Sequence, residues 1–203
     1  MFRIVVGTDG SPAAQAAVQA AMALARRIEG SELIVVAAEG PEELSGLKAV
    51  LERVPGLGGG GEGEPRVQGK AVVEAARAVL AGLQRPQEFL VEQGAPARSL
   101  CRVAQERDAR LIVLGRTTRS RFANTLLGSV SDRVLRYATV PVMVVPLAGQ
   151  DGARGGALEP RPQGLRLLVG TDGSEPAQQA VAFARDLARQ VPGSEVIVVS
   201  VQE

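Results

Sequence analysis

The chain has 203 residues, 45% of them hydrophobic, which supplies a sizeable core and suits one domain plus a further fragment. Its 23 basic and 22 acidic residues nearly cancel, so no global field favours nucleic acid as a generic partner. One cysteine and no histidine exclude an internal disulfide and an imidazole base, and argue against a metal held by nitrogen or sulfur.

The chain opens on a strand-like run, Met1-Phe-Arg-Ile-Val-Val6, where a targeting segment would place charge, a longer apolar stretch and a cleavage site. No apolar run reaches the roughly 20 residues that cross a bilayer. The expectation is a cytoplasmic protein without a membrane partner. A strand at Ile4–Val6 runs into Gly7-Thr8-Asp9-Gly10-Ser11-Pro12, and an alanine-rich helix over Pro12–Arg27 carries Val18, Met22 and Ala25 on one side. Ser11 suits a helix N-cap and Pro12 the first helical position, whose amide has no partner in any case. Asp9 is left over. At the carboxyl edge of a central strand it can reach a ribose or base, or hold Mg²⁺ carried with phosphate; equally, it can cap the turn through its own side chain.

A second strand is expected at Leu33–Ala38. The stretch Pro55–Pro65, rich in glycine, is expected to be a mobile loop. A helix over Val67–Gln84 shows Val72, Ala76, Val79 and Leu83 at helical spacing, followed by a weaker strand at Glu88–Val91 and a short helix at Ala97–Glu106. Cys101 on that helix, which faces the core through Leu100 and Val103, reads as a small apolar residue and not a redox sensor. A strong strand, Leu111–Leu114, leads to Gly115-Arg116-Thr117-Thr118-Arg119-Ser120-Arg121 and on to Gly128-Ser129, where a helix over Ser129–Tyr137 begins; Val142–Val145 forms the next strand. Gly115 would let a ligand approach the backbone. The start of the helix offers uncommitted N–H groups to a phosphate, with Arg116, Arg119 and Arg121 adding charge. The plainer alternative is that Ser129 caps a helix and the arginines are solvated.

Strands that are continuously apolar and alternate with helices imply a parallel sheet covered on both faces, with ligands at the carboxyl ends of its strands. After a glycine- and proline-rich linker, Leu147–Gly164, the chain repeats itself: Arg3–Gly40 aligns with Arg166–Glu203 without a gap, and Gly7–Ser11 recurs as Gly170–Ser174. The second copy contains strand, turn, helix and strand, around Leu167–Val169 and Val196–Val201. It has Asp172 and Ser174 but nothing like the segment after Leu114, so it is not expected to bind a triphosphate. Its strands are too apolar to stay bare.

Together, Asp9-Gly10-Ser11, Gly115, nine residues from Arg119 to Leu127, Gly128-Ser129, the continuation Val130-Ser131-Asp132 and the strand Val142–Val145 resemble the universal stress protein family. The likeness covers residues 1–146 as a complete domain, 147–164 as a linker and 165–203 as a partial, truncated second repeat. It implies a doubly wound open parallel α/β sheet of the adenine nucleotide alpha hydrolase-like kind, in strand order 3-2-1-4-5. It also implies a regulatory role, with ATP or a related adenine nucleotide as cofactor and Mg²⁺ accompanying it near Asp9. Carried over residue by residue, the nucleotide site comprises Asp9, Ala37, Ala38, Gly115, Arg116, Thr118, Arg119, Gly128, Ser129, Val130 and Ser131. The family motif has a second glycine where this chain has Thr118, a costly replacement of about 1–2 kcal/mol if that position needs a left-handed backbone. Family resemblance further implies a homodimer paired through Val142–Val145. Two alternatives stay open: a nucleotide-independent interaction module, which Thr118 favours, and a slow ATPase. For the latter only Asp9 and Asp132 are available as bases, and no catalytic residue is assigned.

Overall fold

The computed structural model describes residues 1–39, 65–116, 128–147 and 164–200; the glycine-rich stretch before Pro65, Thr118, Arg119 and most of the linker lie outside them. The elements are β1 (Phe2–Gly7), α1 (Pro12–Arg27), β2 (Ser31–Glu39), α2 (Pro65–Leu80), β3 (Gln87–Gln93), α3 (Pro96–Glu106), β4 (Leu111–Gly115), α4 (Ser129–Tyr137), β5 (Val142–Val145), β6 (Arg166–Thr171), α5 (Glu175–Gln190) and β7 (Glu195–Ser200). The first five strands form one parallel sheet in the expected order, β3-β2-β1-β4-β5, and β6 and β7 form a second parallel pair.

The continuous apolar runs of β1, β2 and β4 are buried on both faces because alternate side chains enter two different cores. Ile4, Val6, Leu33 and Val35 pack beneath Ala17 and Leu24 of α1 and Ala76 and Leu80 of α2. Val5, Ile34, Val36, Ile112 and Leu114 pack beneath Leu100 and Val103 of α3 and Val134 of α4. Cys101 is half-buried against this second core, and burial pushes its thiol up, away from the reactive thiolate. α2 starts and ends earlier than its periodicity suggests; Leu83 still reaches the core from the turn that follows.

At the foot of α3, Glu88 of β3 accepts both Nε and Nη2 of Arg107, at 2.9 and 2.7 Å. The hydrogen-bonded guanidinium holds the Glu88 carboxyl below its usual range. A lowered carboxyl stabilises the fold above the unfolded carboxylate range and loses that contribution as pH falls through its own lowered value. Both groups are partly exposed, so solvent screening keeps the pair's contribution small. Arg107→Gln is therefore expected to lower the urea midpoint slightly near neutrality, and the difference from the parent should close on acidification below about pH 4. A pH-independent difference would remove the ion pair as its cause.

The second copy docks through Leu165, Leu187 and Val191, which join the first core, and through Arg27 Nη1, which donates to the Gly164 carbonyl at 3.4 Å. One face of its sheet lies against α5. The other is bare. Leu168, Ile197 and Val199 are 70%, 37% and 42% exposed, whereas the residues aligned with them in the first copy, Val5, Ile34 and Val36, are 0%, 0% and 1% exposed. The sequence expectation that these strands cannot stay uncovered is met on one face only. The physical reason is that the second copy has α5 in the place of α1, but among the described residues nothing in the place of α3 and α4.

Candidate functional site

β1, β2 and β4 end together at the carboxyl edge of the sheet, where the chain must turn into a helix or cross over. The turn after β1 is built from local hydrogen bonds that its sequence dictates. Thr8 Oγ1 accepts from Gly10 N at 3.3 Å, Asp9 Oδ1 from Ser11 N at 2.9 Å, Ser11 Oγ from Ala14 N at 3.2 Å, and Gln15 Nε2 donates to the Gly10 carbonyl at 3.3 Å. Gly10 sits at φ +77°, a conformation that favours glycine. The second copy repeats each of these bonds with Thr171, Asp172, Ser174 and Gln178, and Gly173 at φ +82°. Because both copies form the same bond from the Ser amide to the Asp carboxylate, the shared Asp is first a turn-forming residue. One oxygen of Asp9 is committed to the turn, and the exposed carboxylate is left with Oδ2.

A cleft of about 160 Å³ opens above these strand ends. Asp9, Ala38, Gly115, Val130 and Ser131, from four separate segments of the chain, line it together. Ala37, adjacent to Ala38, is buried at 3% exposure and does not line it, because strand side chains alternate. Arg116, Gly128 and Ser129 lie beside the cleft in sequence but are not part of its wall, and Thr118 and Arg119 are outside the described residues. The wall also contains Thr8, Val36, Pro96 and Leu100, which sequence reasoning passed over. The sole signal for the last two is that Pro96 opens a helix directly after a strand end, where such sheets bind ligands.

Gly115 also answers a packing constraint. A Cβ there would overlap the backbone carbonyl of Ala13 and approach Ala14 N, so the glycine lets α1 cross the end of β4. Its carbonyl accepts from Ser131 Oγ at 3.2 Å, which tethers the first turn of α4 to β4 and occupies a hydroxyl expected to face a phosphate. The helix N-cap is Gly128, not Ser129. With no side chain to offer, Gly128 leaves the first amides of α4 without a side-chain hydrogen bond. An uncapped helix start of this kind, opening beside Val130 and Ser131 in the cleft wall, suits an anion. A metal fits less well: among the described residues no group of three or more acidic, cysteine or histidine side chains is placed to hold one. Mg²⁺ would have to arrive with the phosphates that bind it. Among the same residues no helix is long and apolar enough to cross a membrane.

The family model described as "Universal stress protein family" matches residues 1–146 and 165–203. A universal stress protein of Mycobacterium tuberculosis is 33% identical over 188 residues, covering 91% of this chain and 59% of that protein. The chain thus spans about three fifths of the length of the curated relatives it matches first. Among solved structures, a universal stress protein from Archaeoglobus fulgidus superposes with a TM-score of 0.70 over 99% of this chain and 67% of its own, at 19% identity, a likeness of fold. A universal stress protein in complex with cAMP matches 72% of this chain and 98% of its own, at 25% identity and a TM-score of 0.53. Another from Archaeoglobus fulgidus, in complex with dAMP, matches 71% and 97%, at 25% identity and a TM-score of 0.50.

Proposed function

Because this chain belongs to the universal stress protein family, we propose that it is a regulatory protein that binds ATP or a related adenine nucleotide in the cleft at the ends of β1, β2 and β4. The observation that carries this reading is the convergence of Asp9, Ala38, Gly115, Val130 and Ser131 on one cleft, with the uncapped start of α4 beside it. The relatives solved with cAMP and dAMP support adenine as the base. In this reading the apolar wall of Val36, Ala38 and Leu100 receives the base, Asp9 Oδ2 a ribose hydroxyl, and the amides of Ser129 and Val130 the phosphates. Gly128 keeps that helix start open; Arg116, Thr118 and Arg119 belong to the loop that completes it, and Ala37 supports the site from beneath.

Several organisational features accompany the reading. Residues 1–146 form the nucleotide-binding domain, 147–164 the linker and 165–203 a partial second repeat. The outer strand β5 ends the sheet and offers Val142–Val145 for pairing across a homodimer axis. The setting is the cytoplasm. At most, the protein turns ATP over slowly.

Calorimetric titration of the full chain with MgATP, ADP and AMP tests the function. Saturable binding is expected for at least one of them, and Val130→Asp should weaken it by more than about tenfold, since the new charge faces the phosphates. No heat at millimolar nucleotide, and no adenine nucleotide released on denaturing the purified protein, would overturn it. The function would then pass to the second reading, an interaction module without nucleotide, which is favoured by the prior commitment of Asp9 Oδ1 and Ser131 Oγ within the protein.

A further inference from the structure

Glycine is a poor helix residue, yet α2 carries one near its start, the buried Gly69. The space that a Cβ would fill there is taken by the side chain of Glu39, the last residue of β2. Glu39 Oε1 accepts from Gly69 N at 2.8 Å, and its Oε2 accepts from Gln93 Nε2 at 3.0 Å. The Glu39 carbonyl accepts from Gly94 N at 2.8 Å. One residue thus ties together the ends of β2 and β3 and the start of α2. Gly94 stands at φ +123°, so the chain leaves this tie and turns toward Pro96 through a backbone that favours glycine.

These ties lie beside the cleft, not in it. Ala38, immediately before Glu39, and Pro96, two residues after Gly94, are both part of the cleft wall; among the described residues α2 contributes nothing to that wall. One turn further along α2, Val72 Cγ2 stands 3.1 Å from the place a Cβ on Gly10 would occupy, against the turn that brings Asp9 and Ser11 into the wall. The start of α2 therefore braces two stretches of the wall at once. Through Glu39 it holds the stretch formed by Ala38 and Pro96, and through Val72 the turn after β1.

We propose that Glu39 is a positioning residue for the nucleotide: its carboxylate fixes the separation of Ala38 and Pro96, and Gly69 lacks a side chain so that the carboxylate can reach α2. This rests on the nucleotide reading of the cleft. A base is held between two walls only as firmly as the walls themselves are held. With the carboxylate released, the end of β2 can part from the turn before α3, and each binding event must first re-order them, which weakens affinity without removing any contact to the ligand.

Gly69→Ala separates this role from a contribution to stability. Alanine favours the helix, so the urea midpoint should equal or exceed the parent's, while the new methyl group displaces the flexible end of Glu39. In calorimetric titration of the full chain with MgATP, ADP and AMP, the variant should bind the nucleotide that the parent binds best about fivefold more weakly, the net contribution of one hydrogen bond. Glu39→Ala should bind as weakly, and Glu39→Gln, which keeps an acceptor for Gly69 N, should recover part of the loss. Amide exchange at Gly94 should quicken in both alanine variants. A parent that binds no nucleotide removes the reading beneath this proposal, and the proposal with it. A parent that binds, with Gly69→Ala binding equally well, removes this proposal alone. So does a loss of affinity that tracks a lowered urea midpoint across the three variants, which would leave Glu39 a purely structural residue.

Discussion

Replacing Gly115 with valine is expected to cost the first domain about 3 kcal/mol or more, at the upper end of overpacking penalties. The atom that the new Cβ meets is the carbonyl of Ala13, with Ala14 N close behind. Backbone at the start of a helix cannot swing aside as a side-chain end can, so α1 must lift from β4 or β4 must shift in the sheet. Either movement disturbs the cleft, because Ala14 lines it and the Gly115 carbonyl holds Ser131. The variant should therefore lose its urea midpoint and its nucleotide heat together. Gly170→Ala is the control: the new Cβ meets nothing within 4 Å, and the midpoint should stay within about 0.5 kcal/mol of the parent. A Gly115→Val protein with parental stability would show that α1 does not cross β4 as closely as described.

The aligned pair Ile34→Ala and Ile197→Ala should differ by about 2–3 kcal/mol in unfolding free energy, although both remove the same atoms from the same place in a repeated unit. Ile34 is fully buried in the second core, and truncation leaves a cavity beneath α3. Ile197 faces outward on β7, where water fills the space. Denaturant unfolding, followed by tryptophan introduced into each repeat in turn, would report the two costs separately. Equal costs would mean that the bare face of the second repeat is already covered in solution.

The two repeats separate what neighbouring residues fix from what the whole fold fixes. The turn after β1 was legible because its bonds span only a few residues: Ser11 caps Ala14, Asp9 accepts from Ser11, and Gln15 closes on Gly10. The same letters give the same turn in the second copy, where the surroundings differ. Strand order was legible only through the family resemblance, since alternating strands and helices imply a parallel sheet but leave its order open. Arg116, Gly128 and Ser129 were read as site residues; they adjoin the cleft in sequence without being part of its wall. Pro96 and Leu100 escaped notice because nothing near them in sequence speaks of a ligand; they reach the cleft only because β3 lies two strands from β1 and α3 crosses back over the sheet.

By itself, then, the sequence determined the repeated unit, its turn, its helix caps and the alternation that makes a parallel sheet, all of which rest on interactions between residues close along the chain. Only the tertiary structure decided that Gly115 serves the crossing of α1, that Ser131 is tied to β4, and that one repeat is covered on both faces while its twin is covered on one. Burial and close approach depend on which distant segments arrive at a surface, and a local pattern carries no record of their arrival.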